Sequence, residues 1–187
     1  MASAIWSMAH GNAENQVAIA RDKGIAPLIT LLGGHPEVHR DVAGALWSLA
    51  ADDSNQTAIA AQGGITPLVE LLRDGSLGAQ EAAAGALYAL AETPDNRTAI
   101  AAAGGVPLLV AQLARPDRAD APDLAGHTAG ALWSLASNNA ANQHAVRDAG
   151  GVRALIALLE AAVTTSPEAA RHAVRPPPRP PAPPAHI

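Results

Sequence analysis

His35 and His39 stand four residues apart, the spacing at which two imidazoles on one helix face can hold a transition metal. They follow Gly33-Gly34 in a stretch that predicts a loop, and no third ligand lies nearby, so the pair reads as a solvated turn. Asn55-Gln-Thr57 and Asn96-Arg-Thr98 match the glycosylation acceptor pattern. Each Asn also opens a helical pattern, where its side chain would bond the exposed amides of the first turn, and capping is the preferred reading. There is no phosphate loop, dinucleotide fingerprint or nucleophile elbow. The seven histidines are scattered without a repeating acidic partner. No catalytic residue, metal or cofactor is assigned, and the chain is not expected to be an enzyme.

The side chains best suited to recognition are its four aromatics, Trp6, Trp47, Tyr88 and Trp133. Large flat rings supply contact area at low entropic cost and dominate binding hot spots. They are separated by 41, 41 and 45 residues, and each sits in the same short segment. Those segments are Ala4-Ile-Trp-Ser-Met-Ala9, Ala45-Leu-Trp-Ser-Leu-Ala50, Ala86-Leu-Tyr-Ala-Leu-Ala91 and Ala131-Leu-Trp-Ser-Leu-Ala136. The four extra residues of the last interval fall in the polar stretch 115–123 and belong to a loop.

The elements that must carry these rings follow from the rest of the repeat. After each aromatic segment comes an Asn (Asn15, Asn55, Asn96, Asn142), an apolar pair, a turn and a Leu-rich block. The turns are Lys23-Gly24, Gly63-Gly64, Gly104-Gly105 and Gly150-Gly151. Each copy therefore predicts three helices. A short first helix ends at a residue able to take the left-handed conformation. In the second copy, Thr66 and Pro67 suggest an N-cap followed by Pro at the first helical position. Leu68, Val69, Leu71 and Leu72 give that second helix its apolar stripe. The third and longest helix spans about 79–91 in the same copy.

Composition agrees. Hydrophobic residues make up 49% of the chain, with no Phe, so the core must be built from Ala, Leu, Ile and Val on closely packed helices. With no cysteine, disulfides and thiolate ligation are excluded. Residues 1–165 carry nine Lys/Arg against sixteen Asp/Glu, a net −7 that argues against nucleic acid as the main partner. No apolar run approaches the roughly 20 residues of a membrane span, and the N-terminus lacks the basic start of a signal peptide. A cytoplasmic or nuclear location is expected.

In period, three-helix layout, Asn-Gln-x-x-Ile start, Gly-Gly turn and Ala-Gly-Ala-Leu-Trp-Ser-Leu-Ala third helix, the chain resembles the armadillo repeat family. The likeness runs to about residue 174 and is nearest in style to catenin, vacuolar-protein and plant or protist members. It implies an all-α fold, a right-handed superhelix of about four repeats. The divisions are 1–10 (a remnant third helix), 11–51, 52–92, 93–137 (with the loop insertion), 138–174 (incomplete) and a Pro-rich tail, 175–187. Because the repeats are cut at both ends, a fragment of a longer array is expected.

The resemblance further implies that third helices line a concave groove that holds an extended segment of a partner protein. Advancing about 100° per residue from Gly44 puts Ala45, Leu46, Leu49 and Ala50 on one side, and Gly44, Trp47 and Ser48 on the other. The partner-binding residues are then Trp6, Ser7, Gly44, Trp47, Ser48, Gly85, Tyr88, Gly130, Trp133 and Ser134, the glycines leaving room for a partner backbone. Packing of each ring against the neighbouring repeat is the other open role, and the two overlap. The nuclear-import adaptors place Trp where this chain has Gly44, Gly85 and Gly130. Their backbone-gripping Asn is replaced by Ser48, Ala89 and Ser134. Charge supplies no substitute, since Arg40 and Glu81 share one position. In the tail, Arg175, Pro178 and Pro181 fit the pattern of an SH3-domain ligand. A spacer or adaptor fragment without a ligand of its own, in ubiquitin ligation, vesicle attachment or signalling, is the alternative reading.

Overall fold

The structure, a computed structural model, describes residues 1–115 and 121–165, with side chains through residue 161. Those residues form twelve α-helices and one 3-10 turn at Pro36–Val38, with no strand among them. The first-type helices are α2 (Ala13–Arg21), α5 (Asp53–Ala61), α8 (Pro94–Ala102) and α11 (Ala140–Asp148). The second type comprises α3 (Ile25–Leu32), α6 (Ile65–Asp74), α9 (Gly105–Leu113) and α12 (Gly151–Thr165). Third helices are α1 (Ala2–Ala9), α4 (His39–Leu49), α7 (Leu77–Leu90) and α10 (Pro122–Ala136). They pack in order, α1 on α4, α4 on α7, α7 on α10, and these are among the most extensive contacts in the molecule.

The core is aliphatic and continuous. Leu46, Leu49, Leu87 and Leu90 of the third helices are fully buried, together with Ile59 and Ile100 of the first helices and Leu68, Leu72, Leu109 and Leu113 of the second. Alanine fills the narrow gaps: Ala43, Ala45, Ala83, Ala84 and Ala86 have no exposed surface. Small residues let neighbouring backbones approach closely, which is how this chain packs a core without Phe.

The two residues of each turn do different work. The first takes left-handed backbone: Gly63 (φ 81°), Gly104 (φ 80°), Gly150 (φ 83°), and in the first repeat Lys23 (φ 63°). The second lies against a β-branched side chain. A Cβ on Gly64 would stand 2.7 Å from Ile59 Cγ2 and 3.1 Å from Ile29 Cδ1. On Gly105 and Gly151 it would meet Ile100 and Val69, and Val146 and Val110. The turn thus joins its own first helix to the second helix of the repeat before.

Two capping expectations are corrected. Asn55 is not an N-cap but the third residue of α5, as Asn15 is of α2 and Asn142 of α11; the caps are Asn12, Asp52 and Asn139, whose side chains accept the amides of Asn15, Asn55 and Asn142 at 3.0 Å. Asn96 holds the same place in α8, which starts with Pro94 after Thr93. Thr66 and Pro67 lie inside α6, whose N-cap is Gly64. Proline is tolerated there because a first-turn residue has no intrahelical amide bond to lose.

His35 precedes the 3-10 turn and His39 begins α4; His35 Nδ1 lies 3.2 Å from Glu37 Oε1. No group of three or more potential metal ligands occurs among the described residues. Among them, too, no helix is long and apolar enough to cross a membrane. The third helix expected at 168–174, the Pro-rich tail and residues 116–120 of the insertion lie outside the described residues.

Candidate functional site

The aromatic of each third helix lies over the glycine of the next. A Cβ on Gly44 would stand 2.6 Å from Trp6 Cδ2, one on Gly85 2.7 Å from Trp47 Cδ2, and one on Gly130 3.4 Å from Tyr88 Cδ2. The room that the glycines leave is therefore taken by rings from the preceding repeat. Trp47 reaches further and meets His127 of α10 edge-on, with ring centroids 4.5 Å apart, so this side chain of α4 touches both of the next two third helices, α7 and α10.

The rings are not lost to the core. Trp6, Trp47 and Tyr88 stay partly exposed, and Trp133 is 46% exposed. The small residues around them differ. Ser7 is exposed, whereas Gly44, Gly85, Ser48 and Ser134 are buried and Gly130 is half-buried. Ser134 Oγ and Thr128 Oγ1, both in α10, are buried without a hydrogen-bond partner among the described residues. Arg40, Glu81 and Gly126 share one repeat position. The Arg40 guanidinium lies 5.9 Å from the Trp6 ring centroid, a cation–π distance. Gly126 is exposed, with nothing within 4 Å of a Cβ added there.

His127 departs from the repeat, which has Asp41 and Ala82 at its position. Its Nδ1 is buried without a partner. Burial lowers its pKa below the ordinary histidine value, against the opposing pull of the Glu81 and Asp123 carboxylates. Tyr88 is shifted upward, chiefly by burial and then by the nearby Glu92 carboxylate.

Sequence reasoning missed a second ladder. Asn55 Nδ2 donates to Leu49 O (3.0 Å) and, across the repeat boundary, to Gln16 O (3.2 Å). Asn96 does the same to Leu90 O (3.0 Å) and Gln56 O (3.4 Å), and Asn142 to Leu135 O (2.9 Å) and Arg97 O (3.2 Å). The residue after each Asn ties the first helix to the end of the preceding third helix. Gln16, Gln56 and Gln143 donate to Ala9 O, Ala50 O and Ala136 O, and Arg97 to Ala91 O. The invariant Asn-Gln pairing among three copies was the available signal. Asn55, Asn96 and Asn142 are buried, which suits stitching and not glycosylation.

An all-α solenoid of three-helix repeats, stacked through an aromatic-on-glycine ladder and an asparagine ladder, is the class of protein these features define. Residues 12–51 and 52–91 each match the armadillo/beta-catenin-like repeat family, and the chain belongs to the armadillo repeat family. Among solved structures it resembles an engineered protein at 32% identity, covering 92% of this chain and 68% of that one, with a TM-score of 0.80. It also resembles a designed armadillo repeat protein in complex with the peptide (KR)4, at 24% identity, 91% and 70% coverage and a TM-score of 0.79. A third likeness is to computationally designed armadillo repeat proteins for modular peptide recognition, at 22% identity, 92% and 71% coverage and a TM-score of 0.80. No curated protein matches this chain.

Proposed function

We propose that this chain is a non-enzymatic scaffold that binds an extended segment of a partner protein along the face of α1, α4, α7 and α10. The observation that carries this reading is the row of Trp6, Trp47, Tyr88 and Trp133, each leaving part of its ring open on the same side of successive helices. Such rings, regularly spaced, offer an extended chain one apolar contact per repeat. That designed armadillo proteins of like fold take peptides is consistent with it. Ser7, Gly126 and Arg40 are the exposed neighbours that would border the occupant. The buried Gly44, Gly85, Ser48 and Ser134, with half-buried Gly130, contribute by setting ring height and not by direct contact.

A second reading, a structural spacer, is favoured by the tight seating of Trp6 and Trp47 on Gly44 and Gly85. Trp133 separates the two, because its ring is the most exposed of the four. The test is capture of peptides from a displayed library by the native chain and by Trp133→Ala, alongside thermal unfolding of both. Peptide capture lost at an unchanged unfolding midpoint supports the scaffold. No peptide captured by the native chain, or capture unchanged by the substitution, rejects the proposed face.

A further inference from the structure

Two charges on the third-helix face sit where their own helices give them no support. Arg40 is the second residue of α4, and the positive N-terminal end of a helix disfavours a cation there. Glu81 is the fifth residue of α7, past the first turn in which that end favours a carboxylate. They occupy one repeat position, seven residues before Trp47 and Tyr88, yet carry opposite signs.

Arg40 is exposed but held in place. A Cβ on Gly78 of α7 would stand 3.0 Å from its Cδ, and its guanidinium lies 5.9 Å from the Trp6 ring centroid of α1. The side chain therefore lies across the face from one neighbouring helix to the other. Among the described residues it makes no ion pair.

One repeat further on, Asp123 holds in α10 the place of Gly78 in α7, ten residues before the aromatic. The step that lays Arg40 on Gly78 thus sets Glu81 against Asp123. Both carboxylates act on His127, four residues after Asp123, which meets the Trp47 ring edge-on. His127 does not neutralise them, because burial disfavours its charged form. Neither carboxylate has an ion pair among the described residues. Like charges brought together repel, and a cation arriving between them removes that cost. Trp47, seated on Gly85 one turn after Glu81, brings an aromatic ring to the same place, and a ring face attracts a cation.

Given the scaffold function proposed for this face, we infer that its partner segment carries two opposite charges about three residues apart. An acidic side chain is bonded by Arg40 beside Trp6, and a basic one is held between Glu81 and Asp123 beside Trp47. The two places are one repeat apart. Packed helices lie about 8–10 Å from each other and an extended chain advances about 3.3 Å per residue, which sets the spacing. Opposite signs also fix direction: a reversed segment meets like charge at both places. A segment of uniform charge, acidic or basic, is repelled at one of them.

Selection of peptides from a displayed random library on the native chain, on Arg40→Glu and on Glu81→Lys tests this, with circular dichroism to show each chain folded. Peptides taken by the native chain should share an acidic and a basic residue about three positions apart. Their affinity should fall about five- to tenfold on each variant. On Arg40→Glu, changing the acidic residue of the peptide to Lys should restore binding. Glu81→Gln combined with Asp123→Asn, which keeps side-chain size, should weaken the same peptides and serves if Glu81→Lys does not fold. Peptides whose capture needs Trp133 but that show no charge preference, or one sign at both places, overturn the inference and leave the groove standing. So does affinity that none of these substitutions changes. A native chain that captures no peptide overturns both.

Discussion

The Trp47 ring covers Gly85, 38 residues further along the chain, so closely that a β-carbon there would stand 2.7 Å from it. The same spacing joins Trp6 to Gly44, and a spacing of 42, lengthened by the loop insertion, joins Tyr88 to Gly130. The glycine and the aromatic of one third helix therefore serve different boundaries.

Gly44→Ala and Gly85→Ala should destabilise the fold, since overpacking a rigid ring costs about 1–3 kcal/mol. Gly130→Ala should not, because its Cβ would stand at ordinary van der Waals distance from Tyr88 (3.4 Å). There the helix-propensity gain of roughly 1 kcal/mol for Ala over Gly decides the sign. Urea denaturation of the three variants checks the contrast; equal effects at all three would refute the aromatic ladder as the cause.

Lys23 occupies the left-handed position that Gly63, Gly104 and Gly150 fill elsewhere. Lys23→Gly should stabilise the chain by about 1 kcal/mol, and Gly63→Ala should destabilise it by about as much. Thermal unfolding of both measures the pair.

Asn55→Ala and Asn96→Ala should each cost about 1–3 kcal/mol, because buried carbonyls on both sides of a repeat boundary lose their donor. Asn15→Ala, half-buried and with one local side-chain bond to Met8 O, should cost less. Amide exchange at α5 and α8 should show where the loosening occurs.

Burial of His127 disfavours its charged form, so its pKa in the folded chain lies below the ordinary 6.5 of the unfolded chain. In the window below 6.5 the unfolded state binds more protons. Stability is then complete above that value and lost as pH falls through the folded pKa. Replacing His127 with Gln should flatten this part of the stability profile. The Glu81 and Asp123 carboxylates oppose the shift, and removing either should steepen the loss.

The repeat period, the helix types and the turn glycines were legible in the sequence because apolar periodicity and left-handed turn chemistry are local properties. The purpose of Gly44, Gly85 and Gly130 was not, since their neighbours lie about one repeat upstream. Asn55 and Asn96 read as caps in the sequence because Asn suits an N-cap, while the residues that hold that place, Asp52 and Thr93, stand three positions before them. What Asn55 and Asn96 bond is set by the stacking of repeats, which no single repeat encodes.

Binding along the third-helix face is tested most directly by a photo-crosslinking amino acid placed at Gly126, on that face, or at Arg73, an exposed residue of α6. Each chain is then irradiated with peptides selected from a displayed library. Crosslinking at position 126 and not at 73 is the predicted result. Captured peptides that crosslink equally at both positions, or only at 73, would contradict it.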